Sequence, residues 1–220
     1  MKQQEKRKYF NLQQQTLKEI KGLESKPSLL MHVCCGVCAS YVSLYLSEYF
    51  DLTLYYNNDN IYPKQEYDRR FDELVRLIDE YNKNNKTKIK IIKTDFEGEK
   101  YHQKLEPLAN EPEKGKRCRL CYFLRLKEAM QYASDNNFDY FTTVMTISRQ
   151  KDSETLNKVG QKIARLFPKV KYFYSDFKKE NGSFKTDQLA KKYNLYRQQY
   201  CGCYYSYNDY IQREERKSKR

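Results

Sequence analysis

Seven cysteines stand in three tight groups. Cys34, Cys35 and Cys38 lie in His32-Val33-Cys34-Cys35-Gly36-Val37-Cys38, Cys118 and Cys121 in Arg117-Cys118-Arg119-Leu120-Cys121-Tyr122, and Cys201 and Cys203 in Tyr200-Cys201-Gly202-Cys203. About 80 residues separate each group from the next, so a site that uses all of them must be assembled by the fold. In a reducing compartment, clustered cysteines more often hold metal or carry redox chemistry than form a disulfide framework.

Each group suits different work. The C-x-x-C pair lets two thiolates reach one metal centre, and together with the first group it points to metal. Spacing alone leaves iron–sulfur and zinc both open, because two close pairs also suit zinc. Arg117 and Arg119 are placed to offset the negative charge of the sulfurs. Cys201 and Cys203, one glycine apart, can close only a small, strained and reducible ring, which favours a redox pair. The alternative is that one or both ligate a second metal. The first group occupies a strand–loop–helix position where nucleotide enzymes carry a glycine-rich phosphate loop. Here it holds three thiols, a single glycine and no Lys-Ser/Thr, which argues against an ATP loop. Its plain alternative is a set of buried structural thiols.

Two stretches without sulfur also read as site loops. Asn58–Tyr67 offers Asn58, Asn60, Glu66 and Tyr67 as contacts for a base or ribose, or else forms an ordinary turn and helix cap. Phe141–Asp152 offers hydroxyls with Arg149 and Lys151 for phosphate or ribose, although its threonines are also good strand formers. His102, apart from every cysteine group, reads as a surface residue. His32 reads as core or as support for a ligand.

The elements that position these residues alternate. Strands are expected at Ser28–Cys34, Leu52–Tyr56, Ile89–Lys93, Asp139–Val144 and Lys171–Tyr174. Helices are expected at 8–22, Val37–Phe50, Pro63–Asn84, 98–109, Cys118–Asn137, Ser153–Leu166 with Ser153 as cap, and 184–197. This alternation predicts an α/β fold, a three-layer Rossmann-like and mostly parallel sheet, with the cysteine-rich metal site at the carboxyl ends of the strands. Cys34 and Cys35 would end the first strand at a helix N-terminus, whose free N–H groups and dipole favour thiolates. The whole of 1–220 is expected to be one α/β domain, with 1–25 as a helical extension and 207–220 as a basic tail.

Composition bounds the partners. The 42 Lys and Arg against 29 Asp and Glu give +13, which suits a polyanion such as RNA, and some of the 22 Tyr could stack on bases. An A/T-rich coding sequence would produce the same excess of Lys, Asn, Ile and Tyr. No stretch approaches the roughly 18 apolar residues of a membrane span, and the first residues lack the apolar core of a signal peptide. No membrane partner and a cytoplasmic location are therefore expected.

Taken in order, HVCCGVC at 32–38, NDNIYPKQEY at 58–67, RCRLCYFLRL at 117–126, FTTVMTISRQKD at 141–152 and YCGCYYS at 200–206 resemble the cobalamin-independent epoxyqueuosine reductase family. One departure is Val37, where the family usually carries Pro. The resemblance implies an oxidoreductase that reduces epoxyqueuosine to queuosine in the tRNA anticodon loop. It implies a 4Fe-4S cluster held by Cys34, Cys35, Cys118 and Cys121, and a redox-active pair, Cys201 and Cys203. A further iron or other divalent metal is implied nearby, with Cys38 unassigned and available to it. The partners implied are tRNA carrying epoxyqueuosine and an electron donor that the motifs do not name. The main rival is a zinc-stabilised, non-catalytic RNA-binding protein, which accounts less well for Cys-Gly-Cys. A tRNA thiolation enzyme would need the missing ATP loop, and a simple thiol–disulfide exchanger would not need seven cysteines.

Overall fold

The structure is a computed structural model and describes residues 5 and 7–219. Residues 1–4, 6 and 220, which belong to the expected helical extension and basic tail, lie outside the described residues. In chain order the elements are α1 (Lys8–Lys21), β1 (Ser28–His32), α2 (Gly36–Ser47), β2 (Asp51–Tyr56), α3 (Lys64–Asn84) and β3 (Lys90–Lys93). These are followed by α4 (Gly98–Leu105), α5 (Lys116–Asp135), β4 (Tyr140–Thr143), α6 (Ser153–Ala164), β5 (Lys171–Tyr172), α7 (Gly182–Lys192) and α8 (Tyr204–Ser218). Short 3-10 turns follow α4 and β4.

The five strands form one sheet in the order β3-β2-β1-β4-β5, and every pairing is parallel. β1 lies at the centre, which explains its unbroken apolar run: Leu29, Leu30, Met31 and His32 are each 0% exposed. Helix α2 packs against α3 and α7, whereas α5 packs against α6, so the chain passes from one face of the sheet to the other between β3 and β4. The connections after β1 and β4 therefore diverge and leave a crevice beyond their carboxyl ends.

Several boundaries differ from the sequence expectation for local reasons. β1 ends at His32, so Cys34 and Cys35 sit in the turn beyond the strand. β5 spans only two residues at the sheet edge, and Val144 opens a 3-10 turn instead of closing β4. The cap of α6 is Asp152, not Ser153. Its carboxylate accepts from the backbone N–H of Thr155 at 2.7 Å and of Glu154 at 3.4 Å. Helix α7 stops at Lys192, because Asn194 takes a left-handed φ of 46°. The chain then runs without regular structure to Cys203, and the helix α8 begins before Tyr207, the expected start of the basic tail.

Candidate functional site

The first thiol group is built into the centre of the sheet. Val33 still donates to the Tyr55 carbonyl, at 3.0 Å, before the chain turns away. Cys35 caps α2, its Sγ accepting from the Cys38 N–H at 3.4 Å. This turn brings the sulfurs of Cys34, Cys35 and Cys38 to within 4.8 Å of one another. Hydrogen bonds from Cys35 and Cys38 hold the Cys34 thiol well below the ordinary thiol range. The contact with Cys34, partly opposed by Cys38, pushes Cys35 up to about 11, and the contacts with Cys34 and Cys35 raise Cys38 well above the ordinary thiol range. A metal bound by all three would require them as thiolates, so its binding would release protons.

Helix α5 supplies the second group. Cys118, Cys121 and Arg125 recur at three- and four-residue spacing and therefore share one helix face. The Cys118 Sγ accepts from the Lys114 N–H at 3.3 Å, and the Cys121 carbonyl accepts from the Tyr101 hydroxyl at 3.0 Å. Behind the thiols, Arg125 Nη2 donates to Asn58 Oδ1 at 2.5 Å and to His32 Nε2 at 3.0 Å. A guanidinium can only donate, so His32 Nε2 is an acceptor and Nδ1 carries the proton, which is directed at Thr143 Oγ1 2.9 Å away. Burial and the Arg125 charge hold His32 well below its ordinary range, so the ring is neutral. Of the charge compensation expected of Arg117 and Arg119, Arg117 provides only a small part, at Cys118. Arg117 binds the carbonyls of Ala109 and Glu111 and stacks on Tyr205, and Arg119 is exposed. Arg125 and Lys151, with Arg70 on the Cys35 side, are the main cations beside the sulfurs.

The third group hangs on α3. Arg70, paired with Glu66 at 2.7 Å and almost fully buried, donates to the carbonyls of Cys201 at 3.2 Å and Tyr200 at 3.3 Å. Gly202 has φ +126°, and a Cβ there would meet Arg70 Nη1 at 3.0 Å, so both conformation and space require glycine. The Gly202 carbonyl accepts from the Tyr62 N–H at 2.7 Å. Cys203 lies against Ser206 Oγ at 3.4 Å, and burial pushes its thiol up to about 11. All seven cysteines are free thiols.

The three groups meet at a cleft of about 470 Å³ beyond the carboxyl ends of β1 and β4. Cys34, Cys118 and Cys201, one from each group, line it together with Lys151, Gln198 and Tyr200. The charge of Cys201, and of Cys34 behind it, raises the Lys151 ammonium above its ordinary range despite burial. Gln198 closes the wall by donating to Cys35 Sγ at 3.4 Å. Lys114, Arg213, Glu113 and Asp209 also line the cleft.

Asn58, Asn60, Glu66 and Tyr67 are buried and do not line this cleft. Asn58 ties the Val33 carbonyl to Arg125, Glu66 holds Arg70 and accepts from the Tyr196 hydroxyl at 2.9 Å, and Tyr67 donates to the Thr94 carbonyl at 3.1 Å. Asn58 thereby braces the first group and Glu66, through Arg70, the third. His102 is half-buried against Tyr62 and Tyr204, not a surface residue. Sequence reading missed Arg125, Lys114, Gln198 and Arg213. Of these, Arg125, Lys114 and Gln198 carried a signal, through their closeness to cysteine motifs, and Arg125 lies within the 117–126 segment itself.

The family model described as "Epoxyqueuosine reductase QueH" matches residues 29–209, a span that contains all five motif segments. A Streptococcus pyogenes serotype M1 protein named epoxyqueuosine reductase QueH is 38% identical over 94% of this chain and 80% of its own length. Proteins of the same name from Staphylococcus epidermidis and Histophilus somni are 34% and 32% identical, over 82% and 94% of this chain and 76% and 88% of their own lengths. With the motifs gathered around one cleft and these matches running through all of them, the chain belongs to the epoxyqueuosine reductase QueH family.

Proposed function

We propose that this chain reduces the epoxide of epoxyqueuosine in the tRNA anticodon loop to the cyclopentene of queuosine, in the cytoplasm, as the last step of queuosine formation. The observation that carries the reading is the cleft lined by one cysteine from each group. The names of the relatives supply the substrate. Removing the epoxide oxygen as water takes two electrons and two protons. The thiols of Cys201 and Cys203 hold that number of each, and give them up on closing a disulfide. An electron donor then restores the pair.

The donor set of the site fits a 4Fe-4S cluster: two thiols from the β1–α2 turn and two from one face of α5, with a buried guanidinium behind them. Cys34, Cys35, Cys118 and Cys121 would hold the cluster, and Cys38 is the sulfur available to a further iron or other divalent metal. When bound, the cluster supplies single electrons at low potential. Lys151 presents its ammonium to the anionic substrate at the cleft wall, and Tyr62, Tyr204 and Tyr207 form an aromatic surface beside Cys203 on which bases can stack. The +13 charge of the chain favours the approach of RNA.

The test is metal and acid-labile sulfide analysis of anaerobically purified protein, followed by incubation with epoxyqueuosine tRNA and mass analysis of the nucleosides. About four irons with about four sulfides, a broad band that bleaches with dithionite, and loss of one oxygen from the base are expected. Zinc without sulfide, in protein never exposed to air, overturns the cluster and returns the chain to the RNA-binding reading.

A further inference from the structure

We propose that Arg125 is the built-in counter-charge of the sulfur site, a positioning residue that sets how readily the site accepts an electron. This inference rests on the cluster reading above. Three arginines are buried beside the cysteine groups, and they are satisfied differently: Arg117, 6% exposed, gives its Nη1 to backbone carbonyls. Arg70, 2% exposed, has a carboxylate partner in Glu66. Arg125, 3% exposed, forms no ion pair with a carboxylate among the described residues. Its polar partners are uncharged, the Asn58 amide and a neutral His32, and its Nε has no partner at all. A guanidinium cannot shed its proton in a protein, and an unpaired buried charge is strongly disfavoured. Whatever balances this one must therefore be nearby.

The sulfurs are the candidates. Cys121 precedes Arg125 by one helical turn on the same face of α5, and Cys34 follows β1, whose His32 Arg125 binds. Cys121 and Cys34 are the groups whose charge most favours the protonated guanidinium. Asp59 and Glu128 sense Arg125 only weakly, and burial raises both carboxyls toward their neutral form. Arg117 is taken up by backbone carbonyls, and Lys151 stands at the cleft wall. Arg125 thus supplies a fixed positive charge from the protein side, where substrate and solvent do not reach. A positive charge there favours the reduced, more negative state of a thiolate-bound centre over the oxidised one.

The experiment is an anaerobic reductive titration of the reconstituted full chain, followed by absorption, for the parent, Arg125→Gln, Arg125→Lys and Lys127→Gln. Lys127 is exposed on the same helix and removes an equal charge from the solvent side. Arg125→Gln should keep the parent iron and sulfide content but show a more negative midpoint, while Arg125→Lys and Lys127→Gln stay at the parent value. Arg125→Gln with full iron and an unmoved midpoint overturns the proposal. So does a lysine variant that shifts as far as the glutamine one, since hydrogen bonding and not charge would then be responsible. If Arg125→Gln does not fold, Arg125→Lys decides alone: a parent midpoint supports the counter-charge, and a shifted one rejects it. A parent protein without iron and sulfide refutes the cluster reading itself, a failure visible before any variant is compared.

Discussion

The turn after β1 and the segment before α8 both present cysteines around a glycine, yet they are held in different ways. The β1–α2 turn is fixed by the sheet: its thiols follow a fully buried central strand, and Cys35 itself caps the next helix. No strand leads into the Tyr200–Cys203 segment, although Cys203 opens α8. The segment is suspended by side chains from elsewhere, above all by Arg70 on the carbonyls of Tyr200 and Cys201. A set of ligands needs the first arrangement, because every sulfur must hold its place. A pair that cycles between dithiol and disulfide is better served by the second, where two thiols can approach without disturbing the sheet.

The largest effects should separate these regions by what is lost. Cys118→Ala breaks the C-x-x-C pair facing the first group and should remove iron, sulfide and activity together. Cys203→Ser should leave iron and sulfide at the parent level and abolish turnover. Metal analysis beside a single-turnover assay distinguishes them, and iron lost from Cys203→Ser would make that residue a ligand. Next in size is Arg70→Leu, which leaves the Glu66 carboxylate buried without its partner and removes the suspension. A loss of about 3–5 kcal/mol in urea unfolding is expected, and a loss under 1 kcal/mol would show that the third group is held by something else. The smallest effects come from the glycines. Gly202→Ala should lose about 1–2 kcal/mol from its positive φ alone. Gly36→Ala, in a helix and 3.3 Å from the flexible Glu73 Cγ, should stay within about 1 kcal/mol of the parent. Equal losses at the two sites would remove the contrast.

Most of the fold was legible because burial on both faces writes itself into a parallel strand as a continuous apolar run, and Ser28–His32 is one. The cysteine groups were legible because sulfur is rare and its spacing carries chemistry. What stayed hidden depends on partners far apart in the chain. Arg125 shares a helix face with Cys118 and Cys121, but its role comes from His32 and Asn58, 93 and 67 residues away, which the spacing does not display. Glu66 and Tyr67 looked like loop contacts for a substrate because their packing against Arg70, Tyr196 and Thr94 depends on register that sequence does not display. The edge strand β5 shrank because only β4 pairs with it, and Asp152 displaced Ser153 as a cap because a carboxylate there reaches two free N–H groups.

Gln198, closing over Cys35, bears on the order in which the molecule is made. During synthesis the β1–α2 turn and then α5 emerge long before Gln198 and the Cys201–Cys203 segment. The thiols that would bind metal are therefore translated first and covered last. In the finished chain Gln198 lies over Cys35, so a metal taken up by that sulfur would take the place of this hydrogen bond.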